Sequence, residues 1–141
     1  MSERRGRYRP LFILAGLVAG LLAGVTLVRR LDVVEVIGGS MAPALLPGDR
    51  LLVESLSYAR RRPRPGEVVI TRDPRQPERE LIKRVESSDG DLLDLRGDAP
   101  DQSTDSRAFG AVPAADVRWR AVVRYWPPRR VGPIAGHPDR A

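Results

Sequence analysis

The chain has no cysteine, one histidine and one lysine among its 141 residues. Without cysteine there is no disulfide framework, no thiol nucleophile and no zinc–thiolate site. The single histidine, His137, falls in a Pro/Gly-rich tail. That placement argues against a metal site built on imidazole and against an ordinary Ser-His-Asp triad. Nucleophilic chemistry, if present, needs another base.

The shortage of lysine is the more informative one. Lys and Arg together number 24, and every one except Lys83 is arginine. Arginine keeps its proton at any pH a protein survives, whereas a lysine in apolar surroundings can lose it. Lys83 sits in the run Glu80-Leu81-Ile82-Lys83-Arg84-Val85. In a strand, Leu81, Lys83 and Val85 share one face, with Arg84 on the other. The one deprotonatable cation of the chain therefore lies between two apolar neighbours. Most lysines are solvated surface charges, so the rest of the sequence has to decide.

A chain of this length allows one domain with a core of modest size. The net charge of +6 does not point to nucleic acid, because the basic residues are scattered. Four of them, Arg4, Arg5, Arg7 and Arg9, precede an apolar segment instead. Leu11–Val28 is 18 residues without a charge, about 27 Å as a helix against the roughly 30 Å of a bilayer core. It exceeds the apolar core of a cleaved signal peptide, and Arg29-Arg30 stand where a small-residue cleavage site would be. The reading is an uncleaved transmembrane anchor at 11–28 in a lipid bilayer. A basic cytoplasmic N-terminus at 1–10 places the remainder on the extracytoplasmic side. Gly16, Gly20 and Gly24 recur every four residues, a spacing that lets membrane helices associate closely.

Beyond the anchor, short β-type runs alternate with turn residues. Strands are expected at Val33–Ile37, Arg50–Glu54, Val68–Thr71, Leu81–Glu86, Leu92–Leu95 and Arg118–Trp126. Pro47-Gly48 and Pro65-Gly66 supply turns before the second and third. The arginine-rich stretch 60–64, interrupted by prolines, reads as a loop. The expected fold is mostly β: one domain over 29–126, followed by a Pro/Gly/Arg-rich, irregular tail over 127–141.

Gly38-Gly39-Ser40-Met41-Ala42-Pro43 follows the first strand. Two glycines let the chain turn sharply, expose the Ser40 hydroxyl and free backbone N–H groups for a substrate carbonyl. A plain turn is the simpler reading of such a motif by itself. With no histidine available, the arrangement that would activate Ser40 is a Ser-Lys pair.

Three segments together carry a family resemblance. Ser40-Met41-Ala42-Pro43, with Leu45 and Pro47-Gly48-Asp49, resembles the nucleophile box of type I signal peptidases. Leu81-Ile82-Lys83-Arg84-Val85 resembles that family's general-base box. The segment from Gly97-Asp98-Ala99-Pro100 through Ser103-Thr104-Asp105-Ser106-Arg107 to Gly110 resembles its C-terminal signature. The resemblance implies Ser40 as nucleophile and Lys83 as general base. It also implies that Ser103 holds the lysine amine and that Asp105 and Arg107 form a supporting ion pair. Backbone N–H groups of Gly39, Ser40 and Met41 would face the oxyanion. No metal and no cofactor are implied.

Two positions depart from the family pattern. Ala99 stands where asparagine is usual, and Gly38 stands where some members carry a hydroxyl that helps bind the oxyanion. Only the stretch from Glu86 to Arg96 separates the second and third boxes, so the large inserted domain of bigger members is absent. The chain resembles a minimal branch that includes proteases for nickel-type superoxide dismutase maturation. The implied function is a membrane-anchored serine endopeptidase acting on a protein substrate with an N-terminal leader peptide. General signal peptidase activity is the alternative within the family. A self-cleaving repressor of related fold would need a DNA-binding domain where the anchor lies. A non-enzymatic, membrane-anchored β module is the alternative of another class.

Overall fold

The computed structural model describes residues 9–134, with side chains from 12 onward. Arg4, Arg5, Arg7 and His137 lie outside the described residues. The chain forms two compact units, 1–31 and 32–141.

Among its described residues the first unit holds one helix, α1, Arg9–Val28. Its large apolar side chains, including Phe12, Leu17, Leu21 and Val28, are exposed, and open space lies beside Gly16, Gly20 and Gly24. Among the described residues no helix is long and apolar enough to cross a membrane. The stretch expected as an anchor, 11–28, is helical throughout.

The second unit is built from eight strands: β1 (Leu31–Glu35), β2 (Arg50–Glu54), β3 (Val68–Asp73), β4 (Gln76–Asp89), β5 (Leu92–Arg96), β6 (Val112–Pro113), β7 (Val117–Trp126) and β8 (Gly132–Pro133). A single-turn helix, α2 (Ser106–Phe109), stands between β5 and β6. The strands join in the order β1-β2-β7-β3-β4-β5-β6, with β8 on β7. The pairings from β2 onward are antiparallel. Gly48 and Gly66 both take φ of 90°, the left-handed conformation that a Pro-Gly turn requires at its second central position.

Two apolar clusters fill the domain. Val36, Met41, Leu45, Leu51, Val53, Val68, Ile70 and Ala121 form one. Val69, Val85, Leu93, Leu95, Val112 and Val117 form the other. The alternate residues of β3 feed different clusters, so this strand is covered on both faces and its apolar run is continuous rather than alternating. Strands appear in all six expected regions, but the first lies at Leu31–Glu35 and leaves Val36 and Ile37 outside it, and β4 runs further than its apolar stretch because the β3–β4 hairpin extends into polar sequence. The irregular tail expected from Pro127 is corrected in part. Residues 128–130 form a helical turn, β8 pairs with Val123 and Arg124, and Ile134 packs against the first cluster.

Candidate active site

Ser40 lies in the connection between β1 and β2, residues 36–49. Its neighbour Met41 and the following Leu45 are almost fully buried in the first cluster, and they pin the loop from inside. Leu45 N–H donates to Met41 O at 2.8 Å, and Ala42 N–H donates to Gly39 O at 3.1 Å. The serine itself is half-buried, its hydroxyl turned toward β4.

Lys83 lies on β4, directly across from Val69 of β3. It shares its face with Leu81 and Val85, and all three are buried. Lys83 is 3 % exposed, and its Nζ stands 2.8 Å from Ser40 Oγ. Burial pushes the amine below the ordinary lysine value. The charge of Asp105 opposes that shift, and Arg79 and Arg107 reinforce it. A neutral amine at this distance is within reach to accept the hydroxyl proton.

Asp105 is the most heavily bonded side chain near the site. It accepts from Gly97 N–H at 3.0 Å, Ser103 Oγ at 2.8 Å, and Arg107 Nε and Nη2 at 2.9 and 2.6 Å. Burial alone would raise its pKa. The hydrogen bonds from Arg107, Gly97 and Ser103 outweigh burial and hold it well below the usual carboxylate range. The Ser103 hydroxyl spends its proton on this buried carboxylate, the stronger acceptor, and its oxygen keeps lone pairs that can accept from an amine.

Close approach fixes Gly97, whereas at Gly39 the neighbour is the movable end of the Gln102 side chain. A Cβ on Gly97 would lie 2.2 Å from Ser103 Oγ and 2.6 Å from Ser40 O, and one on Gly39 would lie 2.3 Å from Gln102 Oε1. Ala99 N–H donates to Ser40 O at 2.9 Å, which ties the loop after β5 to the residue bearing the hydroxyl. Among the described residues, the N–H groups of Gly39, Ser40 and Met41 make no hydrogen bond to protein.

A groove of about 870 Å³ opens at this point, walled by Val33–Met41 on one side and by Pro77–Lys83 on the other. The stretch of β4 before Arg84 pairs with β3 on one edge, while β5 pairs only from Arg84 onward. The second edge of that stretch therefore fronts the groove.

A family model described as "Signal peptidase, peptidase S26" matches residues 9–100, well over half of the chain. The chain belongs to the signal peptidase S26 family. Several curated relatives are mitochondrial proteases. Inner membrane protease subunit 1a of Arabidopsis thaliana, described as ATP-independent, is 31% identical, over 95% of each chain. Subunit 1 of Xenopus tropicalis is 33% identical over 77% of each. Subunit 2 of Danio rerio is 31% identical over 88% of this chain and 80% of its own.

For this signal peptidase-family chain, sequence reasoning missed two groups around the site. Arg84, set aside because it faces away from Lys83, is 1 % exposed and bound to Asp98. Asp49, named only as part of a turn, is 2 % exposed and is met by Arg124 and Arg130. A buried charge with a distant partner leaves no local pattern, so neither was legible beforehand.

Proposed function

We propose that this chain is a membrane-anchored serine endopeptidase that removes N-terminal leader or signal peptides, with Ser40 as nucleophile and Lys83 as general base. The 2.8 Å contact between a buried lysine amine and a half-buried serine hydroxyl carries this reading. Lys83 Nζ takes the Ser40 proton as Oγ attacks the scissile carbonyl. The oxyanion meets backbone N–H groups of Gly39, Ser40 and Met41. The proton then passes from Nζ to the leaving amine, and the acyl group stays on Oγ. A water, deprotonated by the same amine, attacks the ester and returns Ser40. Asp105 and Arg107 hold the loop that closes over this pair.

An extended leader fits the groove by pairing with exposed strand edges on its two sides. Its apolar lining at Val33, Ile37 and Leu81 suits short apolar side chains next to the bond. The experiment is cleavage of a leader-bearing precursor, with the new N-terminus sequenced. Ser40→Ala is expected to abolish the product while the thermal midpoint is unchanged, a loss of about 10⁴-fold or more. Unaltered cleavage by that variant would leave the non-enzymatic β module as the better description. A nickel-type superoxide dismutase precursor, the specific substrate implied by the family resemblance, is tested in the same assay beside a general secretory precursor.

The anchor belongs to the same proposal. The uncharged stretch Leu11–Val28 and the exposed apolar side chains of α1 support it, as do relatives named for an inner membrane. The orientation proposed from the basic N-terminus is cytoplasmic for residues 1–10 and extracytoplasmic for the protease domain. Full-length protein should stay with membranes through alkaline extraction, and external protease should reach the domain in spheroplasts. Release into the alkaline supernatant would count against a spanning helix.

A further inference from the structure

We infer that the segment 127–134 is a clasp that positions the nucleophile loop, with Arg130 as its principal positioning residue. This inference rests on the reading of Ser40 as nucleophile and goes beyond it. The segment also lies outside residues 9–100, which the family model matches.

The loop from Ser40 to Asp49 has no regular secondary structure, and apart from the Met41 and Leu46 carbonyls, which bond within it, its carbonyls need partners from elsewhere. Met41 and Leu45 hold its inner side. Its outer side is held by two guanidinium groups some 80 residues away. Arg130 Nη1 donates to Asp49 Oδ1 at 2.9 Å, and Nη2 reaches Ala44 O at 3.3 Å and Pro43 O at 3.4 Å. Arg124 Nη1 donates to Ala44 O at 2.8 Å and reaches Asp49 Oδ2 at 3.4 Å. That same carboxylate oxygen accepts from Leu46 N–H at 2.9 Å.

The clasp is itself fastened. Arg124 Nε donates to Arg130 O, and β8 pairs with Val123 and Arg124 of β7. Ile134 packs on the cluster that also takes Met41 and Leu45. The segment therefore touches the loop through its core side chains and its carbonyls at once. The planar fork of arginine can bridge a carboxylate and two carbonyls together, whereas a lysine ammonium offers one compact point charge.

Displacing a catalytic group by about 1 Å can cost on the order of 10²-fold in rate. Ser40 Oγ must meet Lys83 Nζ and a carbonyl carbon together, so play in residues 42–49 is transmitted to the reacting atom. Asp49 keeps Arg124 when Arg130 is replaced, and the domain should stay folded.

The test uses the full chain in detergent micelles, with steady-state cleavage of a leader-bearing precursor and thermal midpoints for each variant. Arg130→Gln is expected to lower kcat by about 10- to 100-fold with KM changed by less than about threefold. Arg130→Lys should recover only part of that loss. The inference is overturned if Arg130→Gln keeps kcat within about twofold of the parent, or if the loss falls on KM instead. It is also overturned if the loss vanishes on cooling well below the variant's midpoint, which would mark a purely structural role. Ser40→Ala is measured alongside: full cleavage by that variant would bring down the catalytic reading itself, independently of Arg130.

Discussion

Lys83→Arg is expected to lower leader cleavage by on the order of 10⁴-fold or more, and Lys83→Met by as much, while both variants remain folded. Arginine keeps the charge and loses the function, because its guanidinium does not give up a proton in this pH range. Methionine fills the apolar slot between Leu81 and Val85 without a polar head, so its thermal midpoint should not fall. A Lys83→Arg protein that still cleaves would remove the lysine from the mechanism.

The protonation state gives this prediction a second readout. Activity needs the neutral amine, so the rate should rise with pH through the Lys83 pKa. Burial lowers that pKa from the ordinary 10.5, which moves the rising limb to lower pH than a solvated lysine would show. Arg79 is a positive neighbour that contributes to the lowering, and Asp105 is a negative neighbour that opposes it. Arg79→Gln should therefore shift the limb to higher pH, and Asp105→Asn should shift it to lower pH. Shifts in the same direction would show that the limb reports some other group.

The residues that could be read from sequence are those whose neighbours in the chain explain them. Val68-Val69-Ile70 after Pro65-Gly66 marks a strand, and the positive φ of Gly66 follows from the turn. Lys83 stood out because it is the one lysine, and its flanking Leu81 and Val85 forecast the burial that the structure shows. Alternation placed Arg84 on the face opposite Lys83 and could say nothing of its partner, because Asp98 reaches it from another loop. The bond from Ser103 to Asp105 joins residues two apart, yet it is set by the fold of the whole 97–107 loop and not by that spacing. Arg130 could not be read at all, because its partners lie some 80 residues away and its own surroundings resemble a disordered tail.

Asp98→Ala should be among the most destabilising single substitutions in the domain. Arg84 and Asp98 face each other with side chains 1 % and 2 % exposed. Nε meets Oδ1 at 2.8 Å and Nη2 meets Oδ2 at 2.7 Å, while Nη1 donates to Gly66 O at 2.9 Å. Removing the carboxylate strands a guanidinium away from water, which costs about 3–5 kcal/mol. For a domain of this size that is a fall in the thermal midpoint of about 10 °C or more. The pair itself need not be strongly stabilising, since its attraction largely offsets the desolvation of both ions. Arg84→Met with Asp98→Leu should accordingly recover most of the lost stability. Cleavage should recover less. Arg84 follows the proposed base on β4, and Asp98 sits between Gly97, which donates to Asp105, and Ala99, which donates to Ser40 O. The ion pair thus fixes the start of the loop bearing Ser103 and Asp105 to the strand bearing Lys83, and an apolar replacement fills the space without setting that register. Recovery of stability and kcat in equal measure would mean that the pair holds the fold and nothing more.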